Sequence, residues 1–354
     1  MKLHDESSRV FASDNYAGVL PEVLAAIGEA NGGHQVAYGG DVYTERLQQV
    51  MREEFGEQAE AFPMFNGTGA NVTALTSVLP RWGAIIASSL AHINTDEGGA
   101  PERVSGLKIL AVATPDGKLT PELIDTEAWG WGDEHRAQPL AVSITQPTEV
   151  GTLYTIAEIR AIADHSHSHG MVLHMDGARI ANAAAALDAP LRAFTTDAGV
   201  DILSFGGTKN GLLYGEAIVV LDPAASEGLS YLRKLNMQLS SKMRFVSAQL
   251  IALLTDNLYR RAAGHANGMA AALRASLEAG IIDGSITGLS FSQPTQANSV
   301  YALLDTAVAD RIRERARFYD WDRSTGEVRW MTAFDTTEAD IENFVGIVRE
   351  ELAR

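Results

Sequence analysis

The chain has 354 residues, with 28 Lys plus Arg against 45 Asp plus Glu, a net charge of −17 and no cysteine. The acidic field repels polyanions, which excludes nucleic acid and acidic membrane surfaces as partners, and the lack of thiols excludes a cysteine nucleophile or a cysteine zinc site. The length suits a large domain with a smaller appendage, and 46% hydrophobic against 21% charged residues is the composition of a globular fold.

In chain order, residues 1–20 read as an irregular arm of mixed charge. They lack the apolar core of a leader peptide, and no apolar run reaches membrane-spanning length, so a cytosolic setting is expected. Pro21 starts a short helix that Ala30-Asn31-Gly32-Gly33 ends, and Tyr38-Gly39-Gly40-Asp41 is a turn. Tyr43, Leu47, Val50 and Met51 recur at helical spacing and predict a helix over about 42–56. From about 58 to 222, apolar strands near 61–65, 84–87, 107–113, 140–144, 171–175, 201–205 and 217–221 alternate with helices near 70–79, 120–128, 155–169 and 179–187. Repeated βα units with fully apolar strands predict an α/β fold: a mostly parallel sheet flanked by helices. Thr155 and Glu158 fit a capping box. Residues 228–280 read as helical throughout, a long connector. The rest, with strands near 299–304, 318–321 and 327–332 and helices near 306–316 and 337–353, predicts a smaller C-terminal α+β domain. The expected division is a large domain over 1–255, including the arm 1–20, and a small one over 256–354.

Three segments carry the chemistry. Val200 to Leu221 reads as strand, glycine-rich turn, strand, with Lys209 held in the turn. A lysine there loses solvation of its charged form and becomes a nucleophile or Schiff-base former, unless it snorkels to solvent. Asn66-Gly67-Thr68-Gly69-Ala70-Asn71 follows a strand and opens a helix; it is either an ordinary turn or a phosphate cradle of backbone N–H groups, with the spacing of neither a P-loop nor a dinucleotide fingerprint. His174-Met175-Asp176-Gly177-Ala178-Arg179 places Asp176 at a strand's carboxyl edge, where it serves a ligand or caps a helix. Together, a phosphate loop, a carboxylate and a turn lysine form a pyridoxal-phosphate set. His165, His167 and His169 close a helix and are expected to be a solvated helix end with no metal. Arg311, Arg313, Arg315 and Arg317 read as solvated surface; Trp129 and Trp131 read as packing residues, with their loop a candidate pocket border.

These motifs, in this order, resemble the threonine aldolases among the fold-type I pyridoxal-phosphate enzymes. The likeness spans about residues 10–335 and is carried by Ser13-Asp14, Gly67-Thr68 with Ala70-Asn71, Ala91-His92 followed by Glu97-Gly98-Gly99, and the string from His174 to Arg179. Thr208-Lys209 with Gly211, Met243-Arg244 and Arg329-Trp330-Met331-Thr332 complete it. The resemblance implies a fold-type I transferase-like fold with Lys209 holding pyridoxal 5'-phosphate, Asp176 pairing with the ring nitrogen, Gly67 and Thr68 on the phosphate, and His92 stacked on the ring. By the same resemblance Arg179 joins the cofactor set, Ser13, Arg179 and Arg329 hold the substrate carboxylate, Arg244 lies near the phosphate, and His135 matches a family histidine that precedes the strand containing Ser143.

The chain departs from the family where Gly69 replaces a common Gln and where Gly206-Gly207-Thr208 precedes the lysine in place of a serine. The implied reaction is retro-aldol cleavage of L-threonine or L-allo-threonine to glycine and an aldehyde, with His92 and His135 as base candidates. A phenylserine aldolase, a β-eliminating lyase or aminotransferase, and a catalytically silent binding protein are the alternatives. The family also implies a homodimer or homotetramer with active sites at subunit interfaces, acting on a small amino acid.

Overall fold

In the computed structural model, which describes residues 3–354, seven strands form one sheet. They are β1 (Glu60–Met64), β2 (Gly83–Ser88), β3 (Lys108–Val112), β4 (Gln138–Thr145), β5 (Val172–Gly177), β6 (Ile202–Gly206) and β7 (Glu216–Val220), in the order β1-β7-β6-β5-β4-β2-β3. The run from β3 through β2, β4 and β5 to β6 is parallel, and β2 and β6 are buried along their whole length because helices cover both faces. Strand β7 runs antiparallel to both of its neighbours. The link from β6 to β7 is too short for the dozen or more residues that a parallel crossover requires, so the chain doubles back.

The expected elements reappear with small shifts: the helix Val42–Phe55, the helix Ile156–Ser168 with its Thr155/Glu158 capping box, and a final helix Glu338–Leu352. One reading is corrected. The stretch 228–280 is three helices, Leu229–Leu235, Arg244–Leu254 and Leu258–Ile282. Met237, Asp256 and Asn257 adopt left-handed backbone between them (φ 61°, 51° and 54°), a conformation that a right-handed helix cannot continue through.

A second sheet of β8 (Ser290–Phe291), β9 (Ser299–Leu303), β10 (Tyr319–Asp322) and β11 (Glu327–Met331) is antiparallel, in the order β10-β11-β9-β8. Its core holds Phe318, Trp330 and Phe344. Phe11 of the N-terminal arm packs there too, stacked on Phe344 at 4.3 Å, and the Met331 N–H donates to the Phe11 carbonyl at 2.9 Å. The helix Leu258–Ile282 buries Leu258, Tyr259, Ala262 and Ala263 in the main core, then Ala270, Leu273 and Leu277 in the second. One rigid rod therefore serves both cores. No described helix is long and apolar enough to cross a membrane.

Candidate active site

A cavity of about 350 Å³ opens where β4, β5 and β6 end, and Lys209, Asp176, Arg179, His92, Thr68 and Glu149 are among its lining residues. Carboxyl ends of parallel strands are where open α/β sheets bind ligands. Lys209 sits in a single 3-10 turn, Thr208–Asn210, which Gly211 closes with a left-handed φ of 100°. A side chain on Gly211 would also meet Leu20. Burial lowers the Lys209 pKa, the charge of Arg179 lowers it further, and Asp14, Asp176 and Glu216 oppose them. Glu216, at the start of β7, accepts the Gly207 N–H at 2.6 Å and so ties the lysine turn to the sheet. Gly206 allows the turn to approach, since a Cβ there would stand 2.4 Å from the Ala178 carbonyl oxygen.

Asp176 is buried and held by two donors, the Ala178 N–H at 2.9 Å and the Asn71 amide at 2.8 Å. The same Asn71 amide donates to Glu97 at 2.9 Å, and His92 donates Nδ1–H to Glu97 at 2.9 Å. A hydrogen-bonded chain thus runs from His92 to Asp176. The Glu97 contact raises the His92 pKa, and desolvation raises that of Glu97. Behind Asp176, His174 is fully buried between the Ser143 and Ser204 hydroxyls, at 2.9 and 3.0 Å, and desolvation lowers its pKa to about 4. That histidine is a neutral packing group.

Arg179 is gripped by Asp14, Nε to Oδ2 at 2.6 Å and Nη2 to Oδ1 at 2.9 Å. Burial works against the Asp14 carboxylate, but the guanidinium outweighs it and holds the carboxyl below its ordinary range. Glu149, just past β4, accepts from the His92 backbone N–H at 2.9 Å and the Thr145 hydroxyl at 2.8 Å, both through Oε1. Its Oε2 has no partner. Desolvation pushes this carboxyl up to about 7. Tyr301 donates to the Glu149 carbonyl, and the Arg329 guanidinium lies within electrostatic reach of the Tyr301 hydroxyl.

The residues present fit pyridoxal phosphate. The helix Gly67–Val78 points its first turn at the cavity, Asn66 caps only the Gly69 N–H, and a Cβ on Gly67 would meet nothing, so the Gly67 and Thr68 end is an open anion cradle. Across from it stand a desolvated amine and a carboxylate fixed by two donors. Gly69 is explained as well: the Gln238 carboxamide, which accepts from the Phe65 N–H at 3.0 Å, fills the space that a Gly69 side chain would enter.

Other expected residues lie elsewhere. His135 is exposed in the loop before β4, at the amino edge of the sheet, and does not join this pocket. A histidine that precedes a parallel strand is a full strand length from its carboxyl end. Trp129 and Trp131 share that far edge, exposed, with the Arg136 guanidinium over Trp129. Arg244 stands beside Gly33–Ala37 in a separate concavity. Ser13 caps the turn at Asp14–Tyr16 through the Asn15 N–H, and Arg329 reaches the pocket wall through Tyr301. The arginines of the helix Thr306–Arg315 are ion-paired: Arg311 and Arg315 converge on the buried Glu351, and Arg313 pairs with Asp310. Sequence reasoning gave no role to Asp14, Glu149 or Glu216; a charged residue beside a motif was the only available signal.

Residues 11–291 match the family model described as beta-eliminating lyase. The chain is 42% identical over 346 residues to the low specificity L-threonine aldolase of a Pseudomonas species, covering 97% of this chain and 98% of that protein. The Pseudomonas aeruginosa protein of the same description is also 42% identical, over 98% of this chain and 97% of its own length. Among solved structures, the Leishmania major threonine aldolase superposes with a TM-score of 0.89 at 29% identity, covering 97% of this chain and 99% of that one. The fold is therefore fold-type I, and the chain belongs to the beta-eliminating lyase family, in its threonine aldolase group.

Proposed function

We propose that the protein is a carbon–carbon lyase that cleaves threonine-type β-hydroxy-α-amino acids to glycine and an aldehyde. The observation that carries this is the convergence of Lys209, Asp176 and an Asp14-braced Arg179 on one cavity beside an open helix N-terminus. Pyridoxal phosphate, the family's cofactor, supplies an electron sink for the pair released when the Cα–Cβ bond breaks. Lys209 would hold its carbonyl carbon, Asp176 its ring nitrogen, the Gly67–Thr68 turn its phosphate, and His92 its ring face.

The chain's own groups do the rest. Arg179 has Nε and Nη2 on Asp14, which leaves Nη1 for the substrate carboxylate, with Ser13 and Arg329 as outer supports. Fixing that carboxylate turns the Cα–Cβ bond into the cleavable orientation. Glu149 takes the β-hydroxyl proton at its free Oε2, since a carboxyl with a pKa near 7 is poised for transfer at neutral pH. His92, raised toward its protonated form, orients Glu149 through its backbone N–H. The aldehyde leaves, Cα takes up a proton, and glycine departs; the hydroxyl proton lost and the Cα proton gained balance.

The reading carries with it a cytosolic setting and an assembly of two or four chains. Arg244, remote from the pocket of its own chain, would then meet the phosphate of a second copy. The test is incubation of the cofactor-loaded protein with L-threonine. Equal glycine and acetaldehyde support the reading, and 2-oxobutyrate in their place moves the assignment to β-elimination.

A further inference from the structure

On the face of the molecule away from the pocket, the end of the helix Ile156–Ser168 carries His165, with His169 as its C-cap. Residues four apart on a helix share one side. The helix Pro121–Asp125 brings Asp125 to the same place, so that ligand atoms of Asp125, His165 and His169 all lie within 4.8 Å of one another. His167 turns away to Asp201, at 2.9 Å. We infer that Asp125, His165 and His169 form a binding site for a divalent transition-metal ion of the zinc class, distinct from the amino-acid pocket.

Two features set this trio apart from a solvated helix end. His169 Nδ1–H donates to the His165 carbonyl at 2.9 Å, which assigns the ring's tautomer and leaves Nε2 with its lone pair free. A backbone carbonyl that orients a histidine in this way is the usual second layer of a zinc ligand. Trp131 stacks on the same ring at 5.3 Å and 15°, fixing its plane. His165 Nε2 faces Asp125 Oδ1 at 2.8 Å, bridged by a proton; the ion takes that proton's place and the proton goes to solvent. Two imidazoles and one carboxylate, with water as fourth ligand, make a tetrahedral zinc set. The field is favourable, since the helix C-terminus is the negative end of its dipole and Glu122 lies in electrostatic range of His165. Ligand atoms around zinc sit about 3.3 Å apart for bonds of roughly 2.0–2.1 Å, so the exposed Asp125 and His169 need only small side-chain adjustments.

The experiment is equilibrium dialysis of chelator-stripped holoenzyme against Zn2+, for the natural chain and for His165→Ala, His169→Ala, Asp125→Asn and, as a control, His167→Ala. Saturable binding of one ion per chain is expected, weakened at least tenfold in the first three variants and unchanged in the control. Threonine cleavage should be retained in all four, which confirms folding. Absence of saturable binding in the natural chain overturns the assignment, as does unchanged affinity in a folded His165→Ala/His169→Ala double variant. Neither result bears on the aldolase reading.

Discussion

Asp14 and Arg179, 165 positions apart, meet in a two-pronged ion pair of 2.6 and 2.9 Å at the base of the pocket. The pair brings the N-terminal arm onto the turn after β5, and Asn298, just before β9, adds a third contact to Asp14 at 3.1 Å. Three parts of the chain are thereby locked around the Arg179 guanidinium. Because Asp14 occupies the Nε edge, the fork presents its other edge in a fixed direction.

Replacing Asp14 with Asn keeps the shape and removes the charge. A hydrogen bond to a charged group contributes about 1.5–3 kcal/mol, so kcat/KM for threonine should fall roughly ten- to hundredfold, mostly through KM. Steady-state kinetics check this, and an unchanged KM would argue that Arg179 is positioned by its other neighbours.

Lys209→Ala should abolish the lysine-bound cofactor absorbance and the covalent label left by borohydride reduction. A variant that kept both would remove Lys209 from its role. Asp176→Asn should instead retain the label while slowing turnover, because in the proposed arrangement its carboxylate would pair with the ring nitrogen and form no covalent link to the cofactor.

Glu149→Gln leaves an oxygen to accept from His92 and Thr145 but no base at Oε2. Loss of a positioned general base typically costs 10²–10⁴-fold, so kcat should drop with little change in KM. The natural enzyme should gain activity as pH rises through about 7, where this carboxyl loses its proton, and the variant should lack that limb. A profile identical in both proteins would exclude Glu149 as the base.

Much of this was legible in the sequence for a simple reason. Strand–turn–helix chemistry is local, so the βα alternation, the Lys209 turn and the Asp176 string reveal the sheet and its carboxyl edge. What stayed hidden is long-range: Asp14 on Arg179, Glu149 under the His92 backbone and Gln238 in the space beside Gly69 depend on how distant segments pack. His135 matches the family histidine only by its distance before Ser143, and the fold puts that position at the opposite edge of the sheet from the pocket. Across the eight residues of β4, at about 3.3 Å each, that spacing carries a side chain about 26 Å from the pocket end of the strand.

Gly206→Ala tests how tightly the lysine turn is built. The added Cβ would meet the Ala178 carbonyl, which is backbone and cannot swing aside, so β6 and the Asp176 turn must part. Overpacking of this kind costs on the order of 1–3 kcal/mol. Lower thermal stability and weaker cofactor retention should appear together; loss of stability alone would mean that the turn relaxes without moving Lys209 or Asp176.

Glu216 makes the stability of the folded chain depend on pH. Desolvation holds its folded-state pKa at about 7 against an ordinary 4.5, so between those values the folded protein binds more protons than the unfolded chain. Stability from this group is therefore greatest below about pH 4.5 and declines as pH rises toward about 7. The full excursion is on the order of 3 kcal/mol. Glu149 acts in the same direction and window, so the measurement must be a difference: urea unfolding of cofactor-free natural protein and of Glu216→Gln across that range. The gain from the substitution should grow with pH and level off above about 7, because Gln keeps an acceptor for the Gly207 N–H without a charge to bury. Curves that stay parallel throughout would mean that the Glu216 carboxylate is solvated or paired in the folded state, and that the turn holding Lys209 does not depend on a buried proton.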